Sequence, residues 1–334
     1  MVVDGAVERL PRKVVTGTVV LGRADPYPGE AELGAKFGAL VDRMAEQAKT
    51  QTSRGHLDLV VFPENAASPV GKLAAESAVA LDGQFFTTLA GVARAHQTYI
   101  VVGAVLVEKD RGETLYSNSA VLLDRDGGVS GVYRKVHPVA KVGRDDLEGG
   151  VTPGDAYPVF PCDFGLLGMQ ICWDIVYTDG WQALGDQGAE IVAWPSASPA
   201  TILPAARAAR HRYYVVSSAW RDNATVYEPT GLVAARVEGP PSSVMVHELD
   251  LSHVVLGWSG FLQNGTALTE RFGDRVGYHY SSREDIGLFW SNDNTTSIDT
   301  FVAEIGGEDI DHQIHRNAAL QRFARRSIRT PRPH

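Results

Sequence analysis

The sequence predicts an α/β protein built on a mixed β-sheet. Two observations carry this. Apolar, β-branched runs alternate with stretches of helical spacing, and two of the runs flank a tight DRDGG turn, which makes a hairpin among crossover units. Val14 to Leu21 is rich in Val and Thr and reads as a strand. Glu30 to Lys49 repeats apolar residues three and four positions apart (Leu33, Phe37, Leu40, Met44), so it reads as an amphipathic helix. Leu57 to Phe62 is a short apolar run of the kind a strand buried on both faces requires. Phe85 to His96 returns to helical spacing, and Tyr99 to Val107 to β-branched residues. Ser119 to Leu123 and Val129 to Tyr133 form the hairpin. Leu166 to Ile171, Ile191 to Trp194, Tyr213 to Ala219 and Ser243 to Leu249 are further strands, with helices at about Asp179 to Gln187 and Ile202 to His211 among them. After about Val255 the pattern loosens: GDRVGYHYSSRED and WSNDNTTSIDT are polar and turn-rich. From about Asp309 a helix is expected to lead into a basic tail, RFARRSIRTPRPH.

The whole-chain properties narrow the function classes. A length of 334 residues fits one large domain with an extension, or two domains. The net charge of -9 argues against nucleic acid, whose phosphates need a basic surface. MVVDGAVERLPRK has no apolar core of signal-peptide length, and no segment approaches the roughly 20 apolar residues of a membrane span. The expectation is therefore a cytoplasmic protein with no membrane association. Cys162 and Cys172 are the two cysteines, and without an export signal they read as reduced thiols, Cys162 as a bystander. For the same reason the Asn-x-Thr triplets at Asn223, Asn264 and Asn294 read as chance. There is no HExxH, no paired CxxC and no phosphate-cradling glycine loop, so no metal or cofactor is expected. His312 and His315 could share a helix face but lack an evident third ligand.

Three residues stand where chemistry is usually placed. Cys172 ends the apolar run Leu166 to Ile171, just ahead of a helical stretch. Backbone N–H groups near a helix start favour negative charge, so a thiolate and an oxyanion are both expected to be helped there. A lone Cys is more often a small buried hydrophobe, so the reading depends on partners. Glu64 follows the run Leu57 to Phe62, directly after Pro63. The C-terminal end of a buried strand is where α/β folds place functional groups, and partial burial there is expected to raise the pKa and suit a general base. Lys135 follows the hairpin and precedes His137 and Pro138, where a buried ammonium can hold a developing oxyanion. Singly, a Glu or Lys is more often a surface residue; the set changes the balance.

FPEN, YRKVHP and GMQICWD, in that order and at these intervals, resemble the nitrilase superfamily of carbon–nitrogen hydrolases. YSNSAVLLDRDGGVSGVYRKVHP, GVTPGDAYPVFPCDFGLLGMQICWD, GAEIVAWPSASP and NATVYEPTGLVAARV extend the resemblance over about Val14 to Leu251. It implies a four-layer α-β-β-α sandwich of two mixed sheets, with residues 1–255 as the hydrolase domain and 256–334 as a C-terminal extension making oligomer contacts. It also implies roles: Cys172 as nucleophile, Glu64 as general base, and Lys135 with the Trp173 backbone N–H as oxyanion donors. Many amidase branches add a second Glu between the Lys and Cys segments, which points to Glu148 in DDLEGGVTPG, with Asp145 and Asp146 as rivals.

Substrate choice is expected to favour an amide or N-carbamoyl group. The pair Trp173-Asp174 and the His137 two residues past Lys135 look more like amidase and carbamoyl-hydrolase branches than like nitrilases. Trp173, Tyr177, Trp194 and Ser196 are the expected pocket lining, and Arg207, Arg210 or Arg212 could bind a substrate carboxylate. RAARHRYYVVSSAW departs from the family, which often has a Glu-Asn pair there. The resemblance also implies a homodimer or higher homo-oligomer acting on a small molecule. A nitrilase, an acyltransferase and an inactive binding relative on the same fold are the alternatives.

Overall fold

The computed structural model describes residues 10–329 apart from 24, 25, 72, 111, 141 and 144. The chain divides into two compact units, one spanning Lys13–Leu249 and one running from Asp250 onward together with the stretch before Lys13.

The larger unit carries β1 (Lys13–Val20), α1 (Glu30–Gln51), β2 (Leu59–Val61), a helical turn α2 (Ala74–Ser77), α3 (Gln84–His96), β3 (Tyr99–Asp110), β4 (Glu113–Leu123), β5 (Val129–Arg134), β6 (Val159–Cys162), β7 (Gly165–Met169), α4 (Asp179–Asp186), β8 (Ile191–Pro195), α5 (Ile202–His211), β9 (Tyr214–Ser218), β10 (Asn223–Tyr227), β11 (Val233–Glu238) and β12 (Ser243–Asp250). These make two six-stranded mixed sheets, in the orders β12-β1-β2-β3-β4-β5 and β11-β10-β9-β8-β7-β6. Each sheet has three successive parallel strands, β1 to β3 and β7 to β9, followed by two that each pair antiparallel with the strand before. The sheets meet face to face. Thr18 Oγ1 donates to the Ser217 carbonyl at 2.6 Å, and Ser218 Oγ donates to the Val19 carbonyl at 2.9 Å.

Helices cover both outer faces, which completes the four layers that the sequence motifs implied. On α1 the spacing puts Leu33, Phe37, Leu40, Val41 and Met44 on one stripe, and α3 adds Phe85, Phe86 and Leu89, all against the first sheet. Trp181 and Leu184 of α4 and Ala208 of α5 do the same for the second. β2 is shorter than its apolar run, yet Leu57 and Phe62 on either side are equally buried.

In the larger unit, the first half of β4 and all of β6 were not legible. β4 starts six residues before Ser119, and its outer half pairs with Val107 to Asp110 through Glu113, Thr114, Leu115 and Tyr116, a stretch too mixed to read as a strand. β6 contains Pro161, which breaks the strand pattern and is tolerated at a sheet edge.

The smaller unit corrects the reading of a loosened tail. β13 (His253–Gly257), β14 (Val276–Ser281) and β15 (Ile286–Ser291) form an antiparallel sheet in the order β13-β15-β14, accompanied by α6 (Thr266–Phe272), α7 (Ile298–Glu304) and α8 (Ile310–Arg329). GDRVGYHYSSRED holds a strand because Tyr278 and Tyr280 pack on Phe289, with ring centroids 5.6 and 6.3 Å away. Val254, Leu256, Leu268, Phe301 and Val302 complete that core. Helix α8 takes in the basic tail to Arg329; residues 330–334 and most of MVVDGAVERLPRK lie outside the described residues. No helix among the described residues is long and apolar enough to cross a membrane.

Candidate active site

Strand ends bring the site together. Glu64 follows β2, Lys135 follows β5, Cys172 follows β7 and Ser196 follows β8. β5 runs parallel to β3 because two antiparallel pairings separate them, so Glu64 and Lys135 leave the same edge of the first sheet. The loop at Glu64 is pinned from behind: the Gly103 N–H donates to the Pro63 carbonyl at 3.1 Å, and the Ala67 N–H to the Gly103 carbonyl at 3.0 Å. Only glycine permits that approach, since a Cβ at position 103 would stand 2.4 Å from the Pro63 oxygen and 2.6 Å from Glu64 Cα. The Lys135 N–H donates to the Asn118 carbonyl at 2.8 Å, which carries the β4–β5 ladder one residue beyond the strand.

The polar centre is enclosed. Lys135 Nζ donates to Glu64 Oε1 and to Glu148 Oε1, both at 2.7 Å, with the lysine side chain 1% exposed. Asn118 Nδ2 donates to Glu64 Oε1 and to Glu148 Oε2, both at 2.8 Å. The Val139 N–H holds Glu148 Oε1 at 2.9 Å, and the Ala197 N–H holds Glu64 Oε2 at 3.2 Å. Glu148 is thus the carboxylate that meets Lys135, ahead of Asp145 and Asp146. Asn118 was given no role from the sequence, although it is the asparagine of YSNSAVLLDRDGGVSGVYRKVHP, the passage in which an asparagine, a small residue, a hairpin and a lysine resemble the family.

Cys172 sits at φ +40°, outside the ordinary strand and helix regions, at the start of a short 3₁₀ turn, Cys172–Val176. Its thiol lies close to the Glu64 carboxylate, the Ser196 hydroxyl and the Ala197 N–H. Trp173 lies in the first turn, where backbone N–H groups have no partner within the helix. Asp174 is fully buried and clamps the turn: Oδ2 accepts from the Tyr133 hydroxyl at 2.8 Å and the Ile171 N–H at 3.0 Å, and Oδ1 from the His137 N–H at 3.0 Å. Burial lifts the Asp174 pKa above the ordinary carboxylate value, against the pull of those donors.

The charge states differ from expectation in two places. Burial by itself would raise Glu64, but the adjacent Lys135 ammonium and hydrogen bonds from Lys135, Asn118 and Cys172 outweigh it, and the carboxyl is held below its usual range. The Cys172 thiol is pushed up to about 11, first by burial and then by the Glu64 carboxylate. Burial and the neighbouring Glu64 carboxylate thus oppose the thiolate that a helix start was expected to favour. Lys135 is raised despite burial, because Glu64, Glu148 and Cys172 surround it.

The expected pocket lining separates into different roles. Trp173 and Tyr177 are 45% and 43% exposed, and the Tyr177 ring stacks on His137 at 3.8 Å. Ser196 is buried, with its Oγ donating to the Ser198 carbonyl at 2.6 Å. Trp194 is buried in the core, and its indole N–H donates to the Cys172 carbonyl at 3.2 Å. Arg207 is spent on the Ile175 and Tyr177 carbonyls at 3.0 and 2.9 Å, Arg212 donates to the Pro229 carbonyl at 3.0 Å, and Arg210 is exposed on α5. Among the described residues no group of three or more His, Cys, Asp or Glu is arranged to hold a metal ion.

Comparison with known proteins places the chain in a family. A family model for carbon-nitrogen hydrolases matches residues 34–256. The omega-amidase NIT2 of Xenopus tropicalis is 27% identical over 238 residues, which cover 64% of this chain and 84% of that protein. The crystal structure of Nit3 from Saccharomyces cerevisiae, a member of branch 10 of the nitrilase superfamily, superposes with a TM-score of 0.59 at 21% identity, over 72% of this chain and 91% of that one. An amidase from Nesterenkonia sp. superposes at 0.58 and 19% identity, over 74% and 94%. The two structures speak for the fold, and the family model, spanning two thirds of the sequence, for the lineage: the chain belongs to the carbon–nitrogen hydrolase family.

Proposed function

We propose that this carbon–nitrogen hydrolase acts as an amidase on a small amide or N-carbamoyl compound, through a thioester on Cys172. The observation that carries the reading is the enclosed pair Lys135 Nζ to Glu64 Oε1, 2.7 Å apart, beside the Cys172 thiol. With the thiol titrating at about 11 and Glu64 below the usual range, the resting state is thiol plus carboxylate. As sulfur attacks an amide carbonyl carbon, the thiol proton passes to Glu64 and the C=O electrons move onto oxygen. An ammonium has three donors; Lys135 uses two on Glu64 and Glu148, and the third, with the Trp173 N–H, holds the oxyanion. Collapse of the intermediate breaks the C–N bond, and Glu64 returns the proton to nitrogen, so that ammonia leaves. Water then attacks the thioester, giving a proton to Glu64, and collapse releases the acid and restores the thiol. Glu148 keeps Lys135 charged and aimed.

The test is intact-protein mass spectrometry of wild type and Cys172→Ala with amides, N-carbamoyl amino acids and nitriles, while ammonia is followed. Ammonia from wild type only, with an acyl adduct on Cys172, is the expected result. Equal ammonia from both proteins rules out the nucleophile. Capture of the acyl group by an added amine in preference to water would make the protein an acyltransferase.

The assembly and location follow the same reading. We propose a homo-oligomer that pairs through the α5 face, where Ile202 is 81% exposed beside Leu203 and Val176, with further contacts from Ile314, Leu320 and Phe323 on α8. A stable monomer by light scattering at micromolar concentration excludes it. Two free thiols suit a reducing cytoplasm.

A further inference from the structure

We infer that Trp194 is a positioning residue for the oxyanion: its indole N–H polarises the peptide group that carries the Trp173 N–H. The inference rests on the reading in which Cys172 is the nucleophile and the Trp173 N–H helps to hold the oxyanion. The peptide between Cys172 and Trp173 has two polar ends. Its carbonyl, on Cys172, accepts the Trp194 indole N–H at 3.2 Å. Its N–H, on Trp173, is the proposed oxyanion donor. The peptide is one conjugated unit, so electron density drawn toward the carbonyl oxygen leaves the N–H more positive. Hydrogen bonds in such a chain strengthen one another.

The fold fixes this bond. β7 and β8 run side by side in parallel, with Met169 opposite Ala193, so Trp194 and the turn at Cys172 sit at the same edge of the second sheet. The Gln170 N–H donates to the Ala193 carbonyl at 3.1 Å, which extends the ladder toward the turn. The Trp194 ring is 2% exposed and packs in the core with Ile175, Trp181 and Tyr213. Two later carbonyls of the turn also take side-chain donors. The Trp181 indole N–H donates to the Asp174 carbonyl at 3.0 Å, and Arg207 Nη2 to the Ile175 carbonyl at 3.0 Å. A buried indole N–H needs an acceptor in any protein, and Trp181 meets that need on a peptide whose N–H belongs to Ile175. Trp194 meets it on the peptide of the oxyanion donor itself. The two tryptophans therefore make the same kind of bond to one turn, and Trp194 alone of the two is joined through a single peptide to the reacting centre.

The test separates polarisation from packing. Trp194→Phe keeps a ring in the core and deletes the N–H, and Trp181→Phe makes the same deletion on the Asp174 carbonyl. Benzothienylalanine at position 194 has the shape of tryptophan without the N–H, and it replaces phenylalanine if that variant does not fold. Cys172-Trp173 is the one Cys-Trp pair in the chain. Protein isotopically labelled at the cysteine carbonyl and the tryptophan amide nitrogen therefore gives a single correlated resonance, from the peptide in question. That resonance is expected to move when position 194 loses its N–H, and to move much less in Trp181→Phe. Turnover is followed as ammonia release, on the amide that wild type hydrolyses fastest. Cooperative strengthening of about 10–30% per bond, applied to a donor worth roughly 100- to 1000-fold, sets the expected effect. The kcat of Trp194→Phe should fall roughly 2- to 8-fold below that of Trp181→Phe, with KM alike in the two. An unmoved resonance, equal kcat in the two variants, or a loss carried by KM overturns the inference. A moved resonance in a wild type that releases no ammonia removes the catalytic reading, and with it the oxyanion role. Turnover through Cys172 with an unmoved resonance keeps the catalytic reading and overturns the role of Trp194.

Discussion

Replacing Lys135 with methionine leaves Glu64 and Glu148 facing each other with their shared cation gone. In the wild type the ammonium stands 2.7 Å from an oxygen of each, and its side chain is 1% exposed, so water cannot substitute for it. Removing one partner of a buried pair costs about 3–5 kcal/mol, because the remaining charge is stranded. The loss should depend on pH. In the wild type the Glu64 pKa lies below 4.5, so its ionisation stabilises the fold above that value, and the contribution fades as pH falls through the folded-state pKa. Without the ammonium, burial wins and the Glu64 pKa moves above its unfolded value. That carboxyl then favours the folded variant below the unfolded pKa and loses its contribution as pH rises through the raised one. The gap between the two proteins is therefore widest near neutrality and narrows toward about pH 4. Urea unfolding at several pH values measures it through the midpoint and slope. Turnover should fall about 100- to 1000-fold with the oxyanion donor. A stability gap under about 1 kcal/mol, the size of an exposed ion pair, or one that stays constant with pH, refutes the electrostatic account.

Three more outcomes follow from the geometry. Glu64→Gln removes the charge that, after burial, raises Cys172, so the thiol should titrate below about 11 in the variant; iodoacetamide alkylation against pH measures the midpoint, and an unchanged or higher value contradicts the coupling. Asp174→Asn turns one oxygen into an amide facing donors from Tyr133, Ile171 or His137; it should cost about 1–3 kcal/mol of stability per mismatched group, read by thermal unfolding. Gly103→Ala pushes a Cβ into Pro63 and Glu64; it should cost about 1–3 kcal/mol and lower kcat more than it raises KM, whereas unaltered kinetics would show that the loop yields freely.

Part of the site was legible because Cys172 and Glu64 end apolar runs that become buried strands, whereas Lys135 ends the half-exposed hairpin strand β5. Glu148 was legible only as one of three acids in a loop; the contact with Lys135 distinguishes it. Asn118 was legible as the asparagine ahead of the hairpin, but its bonds to both Glu64 and Glu148 were not. Trp194 was legible as an aromatic next to the site, but its burial and its bond to the Cys172 carbonyl were not, because they depend on how β8 packs beside the nucleophile turn. The smaller unit was missed because its strands are short and polar on one face, and its core is assembled from residues as distant in sequence as Val254 and Phe301.

The sequence by itself determined the α/β class, the order of the larger unit's elements and the three residues that end its strands. Those are local properties, set by periodicity and by where an apolar run stops. Tertiary structure decided the charges. Lys135 and Glu64 are 71 residues apart in sequence and 2.7 Å apart in space. That distance makes a buried carboxyl more acidic than an exposed one, and the same carboxylate keeps the neighbouring thiol protonated. The sign of each shift depends on whether a counter-charge lies within a few ångströms, and no pattern along the chain records that distance.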